Sequence, residues 1–443
     1  MHLRRVSLAV LAAAAVVGGS TWWNVRRLAA MERAANIHAV AAATAELEMR
    51  TADIGFFEAR AARDPESATD RTRLAALYMQ RARETGDDQD YVRAEQAART
   101  SLALRTQRNG DASVVLASAL LGQHRFAEAR DVARRLVEQS PDVDAYRALL
   151  GETSLELGDY AAAHAAFDSI GRTGRRSLTI APRLARWAEI RGDTAAAREI
   201  LRDAVRAVDE RRDLPREQAA WFHLRLADLY LRQGRERGAD RELRAGLVIS
   251  PADHRLLTAM ARLAAVRQDW RRAIQWGDSA IAIALDPATL GIVSDAHAAL
   301  GDTAKAAEYV AAMEVAVGQE PGAYHRAWSL FLLDHGRRVP EVLAAAQAEL
   351  AGRRDIYGYD LLAWALYKSG RAAEAREPMR RALAQGTQDA MLHYHAGMIA
   401  RASGDPVAAR AYLERAFAIA PAFDHAAPAI ARAALDSLPR TTE

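Results

Sequence analysis

Residues 144–170 read DAYRALLGETSLELGDYAAAHAAFDSI, and their spacing decides the fold. Two runs of helix-forming residues flank Gly158-Asp159-Tyr160, where a glycine can end the first helix in a left-handed cap without steric clash. Gly151 in the first run and Ala163 in the second are small residues, placed where two helices lying side by side must approach closely. The stretch therefore predicts a helix, a tight turn and a second helix.

The same spacing recurs outward in both directions. Similar units begin near residues 110, 144, 178, 220, 254, 287, 322, 356 and 390, at intervals of 34 residues or within one of it, apart from the 42-residue step from 178 to 220. Small residues return at the eighth place of a unit (Gly151, Ala227, Ala261, Ala363, Gly397). Alanines return at the twentieth place (Ala129, Ala163, Ala197, Ala239, Ala273, Ala306, Ala375, Ala409). Glycines 158, 192, 234, 301, 336, 370 and 404 close the first helices, and Pro141, Pro251 and Pro421 stop second helices. Residues 73–102 fit a further unit beginning near 68 with seven extra residues before Tyr91, which is about two helical turns and so preserves the packing face. Residues 34–67 read as a weaker first unit, and the stretch after Pro421 as a terminal capping helix that covers the last apolar face.

These units resemble tetratricopeptide repeats, whose 34-residue signature places a tryptophan, a Leu-Gly pair and a tyrosine on the first helix, and an alanine, a phenylalanine and a proline on the second. Leu150-Gly151, Ala163 and Phe167 carry the likeness in one unit, Leu226-Ala227, Tyr230, Ala239 and Pro251 in another, and Ala396-Gly397, Ala409 and Pro421 in the last. The expected fold is all-α: a right-handed α-solenoid of about ten to eleven repeats. Its parts are a signal peptide or membrane anchor at 1–27, a helical linker and degenerate first repeat at 28–67, the solenoid at 68–423, and a capping helix and tail at 424–443.

The anchor reading rests on Arg4 and Arg5 ahead of the apolar run Val6 to Val17. Extended to Val25, a helix would span about 30 Å, the thickness of a bilayer core, with Trp22 and Trp23 at its interface. Gly18, Gly19 and Ser20 would instead suit a signal peptidase. Either way the bulk of the chain is expected to be membrane-anchored or exported, on the extracytoplasmic side of a bacterial envelope, with a cytosol-facing scaffold as the alternative.

Composition narrows the chemistry further. The net charge is +3, and 58 arginines stand against two lysines, Lys305 and Lys368, interspersed with Asp and Glu, so no clustered basic face for nucleic acid is expected. The chain has no cysteine, which excludes disulfides, thiolate metal sites and a cysteine nucleophile. No phosphate-binding loop, zinc-protease helix motif or serine nucleophile elbow occurs. The triplet Arg191-Gly192-Asp193 falls at an inter-helix turn, equivalent to Gly158-Asp159. In "MLHYHAG", His393 and His395 project about 200° apart on a helix and cannot chelate one ion together. His223, His325 and His393 share the fourth place of their units, where the family has tryptophan, and are expected to pack between helices. No cofactor, metal or catalytic residue is expected; an enzyme or metal-dependent module with an unrecognised site is the reading from another class.

The resemblance implies a non-catalytic scaffold whose first helices line a concave groove for a partner protein or peptide. Carried over by place, the groove residues are Arg183, Arg186, Trp221, Arg225, Asp228, Arg262, Asp295, Arg326, Tyr357, Asp360, Trp364, Tyr367, Tyr394 and His395. The arginines are expected to meet ligand carboxylates, and the rings to anchor apolar side chains. The lysine and asparagine clamp with which some relatives hold chaperone tails is not matched at these places, and without cysteine the metal module that ends some envelope-assembly relatives is not matched either.

Overall fold

The computed structural model describes residues 41–171, 174–318 and 326–439. The expected anchor or signal at 1–27 and His325 lie outside them. None of the described helices is long and apolar enough to cross a membrane. Residues 41–63 form one unbroken helix, α1, within the stretch 28–67 expected to hold the linker and degenerate first repeat, whose residues 28–40 lie outside the described ones.

Among the described residues, ten helix pairs follow. The first five are α2 (Ala68–Thr85) with α3 (Gln89–Leu104), α4 (Gly110–Gly122) with α5 (Phe126–Gln139), α6 (Asp144–Glu156) with α7 (Tyr160–Asp168), α8 (Ala181–Ile190) with α9 (Thr194–Asp209), and α10 (Arg216–Arg232) with α11 (Glu236–Ile249). The next five are α12 (His254–Val266) with α13 (Trp270–Ile281), α14 (Pro287–Ala299) with α15 (Thr303–Gly318), α16 (Arg326–Asp334) with α17 (Val339–Glu349), α18 (Ile356–Lys368) with α19 (Ala372–Leu383), and α20 (Ala390–Ala402) with α21 (Pro406–Ile419). A short α22 (Ala427–Asp436) closes the chain against α20 and α21, burying Ala427, Ala431 and Ala434.

The local chemistry of each turn is legible. Gly158, Gly192 and Gly404 take φ of 75°, 76° and 78°, which ends the first helix. The aspartate that follows starts the second: Asp159, Asp193 and Asp405 accept hydrogen bonds from the backbone N–H groups of Ala162, Ala196 and Ala408. The Arg-Gly-Asp triplet is thus a stop and a start signal. Two units lack the glycine, and there His124 and Gln268 adopt φ of 58°. The small places behave as the spacing predicts: a methyl on Gly151 would lie 2.7 Å from the Phe167 ring, one on Gly397 2.6 Å from Leu413, and Ala129, Ala163, Ala197 and Ala239 are fully buried.

What no single unit announces is that the solenoid winds tightly enough to touch itself. The turn at Gly158 packs on the Arg354 backbone, Gly192 on Gly386, Gly234 on Ala420 and Pro421, and Gly86 on Ala284 and His254. Arg354 N–H donates to the Leu157 carbonyl (3.3 Å), and Ile356 N–H to the Tyr160 hydroxyl (2.8 Å), 196 residues away. One superhelical turn therefore takes between five and six units, and successive turns stack edge to edge. The corresponding glycines 301, 336, 370 and 404, in the last units, have no atom within 4 Å of the added methyl position.

Candidate functional site

The first helices α2, α4, α6, α8 and α10 surround a cavity of about 640 Å³ on the inner face of the first superhelical turn. Arg83, Arg183, Arg186 and Arg225 line it together with Glu152, Glu156, Glu217 and the half-buried Trp221. Its ring is closed by Glu217, which is 6% exposed: Arg83 Nε reaches it at 3.2 Å, Gln80 Nε2 at 3.3 Å and Arg255 Nη2 at 2.7 Å. The two irregularities of the repeat explain this closure. Glu217 lies in the extra residues of the 42-residue step, Arg83 near the end of the lengthened α2, and the two extensions meet.

Four predicted groove residues, Arg183, Arg186, Trp221 and Arg225, come together here. The arginines do not stand free. Arg183 pairs with Glu152 (2.6 Å), Arg186 with Glu156 (2.8 Å), Arg225 with Glu189 (3.2 Å), and Arg262 with Asp228. Each carboxylate belongs to the neighbouring first helix, so the concave face is an ionic ladder; Glu156 holds the Arg186 guanidinium charged against the pull of burial. Sequence reasoning passes over Glu152, Glu156 and Glu189, although they occupy the ninth, thirteenth and twelfth places of their units and are visible by the same count. Glu217 precedes its unit's first place, so only the tertiary fold reveals it.

At the C-terminal end the expectation of ligand-facing rings is corrected. Asp360, Trp364, Tyr394 and His395 are buried, at 0%, 1%, 4% and 2% exposure. Trp364 donates its indole N–H to Asp334 (2.8 Å) and stacks on Tyr367 and His395, at 4.7 and 4.0 Å between ring centroids. His395 Nδ1 bonds Asp360 (2.7 Å), which also receives Arg326 Nη2 (2.6 Å). Burial pushes the Asp360 carboxyl up, but His395 and Arg326 outweigh it and hold it below the usual carboxylate range. Arg326 also lies over the Tyr357 ring, whose hydroxyl accepts from Arg232 (3.2 Å), 125 residues earlier. These residues glue first helices to one another, because the tight winding converts groove places into inter-helix contacts.

His393 is half-buried and tilted against Tyr412, in line with a packing role. His223, at the same place, instead bridges Glu242 and Asp209, each at 3.1 Å. Among the described residues no group of three or more histidines and carboxylates has the geometry to hold a metal ion.

Two family models match the chain, both described as tetratricopeptide repeat: one over residues 87–153, the other over 361–422. Over those two stretches the chain matches tetratricopeptide repeats. The matched stretches lie toward the two ends of the solenoid, and the intervening units continue the same helix pairing. No curated protein matches the sequence. Among solved structures, the chain is similar to the APC/C hetero-tetramer Cut9-Hcn1, at 12% identity and TM-score 0.33, covering 88% of this chain and 93% of that one. It is also similar to the human IFIT1 dimer in two states: with PPP-AAAA, at 14% identity, TM-score 0.44 and 81% and 84% coverage, and with m7Gppp-AAAA, at 13%, 0.45, and 84% and 86%.

Proposed function

We propose that this tetratricopeptide solenoid is a non-catalytic scaffold that holds a peptide segment of a partner protein in the cavity of its first superhelical turn. The observation that carries the reading is the convergence of Arg183, Arg186, Trp221 and Arg225 on one open cavity of about 640 Å³, a size suited to a short segment rather than to a folded surface. Each of the four arginines there is paired with a glutamate, so a segment with one carboxylate and one apolar anchor suits the wall: its carboxylate would share Arg225 with Glu189, and its anchor would rest on Trp221. The membrane-linked location proposed with this function rests on the Arg4-Arg5 start and the apolar run from Val6 to Val17.

Selection from a random peptide library displayed on phage tests the proposal, because the cavity then chooses its own ligand. The expected winners are acidic and carry an aromatic or branched aliphatic residue, and they lose about tenfold in affinity, roughly 1.4 kcal/mol, against Arg225→Ala or Trp221→Ala. Both variants should keep their helix content, because Glu189 retains Arg232 as a partner. Peptides that bind both variants as well as the parent protein would place the site elsewhere.

A further inference from the structure

A second chamber lies between the first helices α14, α16, α18 and α20, with a cavity of about 380 Å³. Its floor is Asp295. Its walls include the rings of Trp270, Phe331 and Tyr394, and Asp334 and Lys368 stand at its side. The chain's own terminal segment enters it: His425 Nε2 bonds Asp295 at 3.0 Å, its Nδ1 faces Asp424 at 3.4 Å, and its ring meets Trp270 edge to face at 6.0 Å. His335 Nε2 grips the other Asp295 oxygen at 2.9 Å.

We infer that this chamber is a binding site for a flat organic cation set among aromatic rings, and that it receives an arginine side chain presented by a partner peptide when the terminal segment withdraws His425. Three observations separate this from ordinary end-capping. A solenoid needs its last apolar face covered, and α22 does that with Ala427, Ala431 and Ala434. His425 does something else: it crosses 130 residues of sequence to reach α14. The chamber is also not filled by its occupant, since the cavity remains open beside the imidazole.

The Asp295 carboxylate makes the third point. The terminal segment carries Asp424 away together with His425, so its withdrawal leaves one Asp295 oxygen without its partner while His335 keeps the other. A guanidinium replaces an imidazolium with more donors and an equally flat face. It can take the Asp295 oxygen that His425 vacates, and lie against the half-buried Trp270 as cations do on ring faces. The inference is independent of the first chamber, because its residues come from different helices.

The test uses the full chain and two small probes of nearly the same shape, N-acetylarginine amide and its neutral counterpart N-acetylcitrulline amide, with affinities measured by calorimetry. The expected result is that His425→Ala binds the arginine probe at least tenfold more tightly than the parent protein, whose histidine competes. The citrulline probe should gain nothing, and adding Asp295→Asn should abolish the gain. If His425→Ala does not fold, His425→Gln keeps bulk and a donor without the charge and carries the same expectation. Equal affinity in parent and variant, or equal gains for both probes, would overturn the inference. Neither outcome touches the first chamber, whose readouts are Trp221 and Arg225.

Discussion

At the scale of single residues, the glycines of the inter-helix turns do two jobs that a matched pair of substitutions separates. Gly158 and Gly370 have nearly the same conformation, φ of 75° and 79°, so replacing either with alanine carries the same left-handed backbone penalty, about 1–2 kcal/mol. Only at Gly158 would the new methyl run into the Arg354 carbonyl; at Gly370 nothing stands within 4 Å. Gly158→Ala should therefore destabilise the protein by roughly 1–3 kcal/mol more than Gly370→Ala in chemical denaturation. Equal losses would show that the turns do not pack on one another as described. The caps, the small eighth places and the twentieth-place alanines were all readable from spacing, because each answers a local demand: a helix that must stop, or two helices that must approach.

At the scale of elements, the terminal segment is held to α14 by charge, and its hold depends on pH. Burial would lower the His425 pKa, but hydrogen bonds and charge from Asp295 and Asp424 raise it to about 10. His335, Asp334 and Lys368 face the same chamber. Because the folded value lies above the unfolded one of about 6.5, the stabilisation from His425 is fully present below that unfolded value and is lost as pH rises through about 10. Asp295 and Asp424 are shifted the opposite way. Burial pushes each up, His335 and His425 at Asp295 and His425 with backbone N–H groups at Asp424 pull each further down, and their contributions persist until acid protonates them. The stability gap between the parent protein and His425→Ala should be about 2 kcal/mol at neutral pH. It should close as pH passes about 10 in thermal melts buffered across that range. A gap that stays constant with pH would mean that the histidine contributes packing alone.

At the scale of the whole molecule, contacts between successive superhelical turns join units that are far apart in sequence. A solenoid stabilised only by nearest neighbours loses its end units independently. Here Glu217 ties α2 to α10 and α12 through Arg83, Gln80 and Arg255, so the first turn behaves as a ring. Removing one partner of a buried ion pair typically costs about 3–5 kcal/mol. Glu217→Ala should lose stability on that order, and amide exchange should quicken in α2 and α12 together. Quickening confined to α10 would argue against the ring.

The sequence by itself determined the class of fold, the period and register of the units, and the glycines that stop most of the first helices. These depend on interactions within a unit or between adjacent ones, and the 34-residue period repeats them until the signal is plain. The fate of the groove places was settled only by the tertiary structure. Whether Arg225 meets a ligand depends on whether Glu189, in the preceding unit, already holds it; whether Trp364 is open depends on how closely α16, α18 and α20 pack. Both follow from the rotation between units summed over a full superhelical turn. That rotation is a small quantity at each step, written in no single residue, and its accumulated value decides whether the inner face is an open groove or a pair of lined chambers.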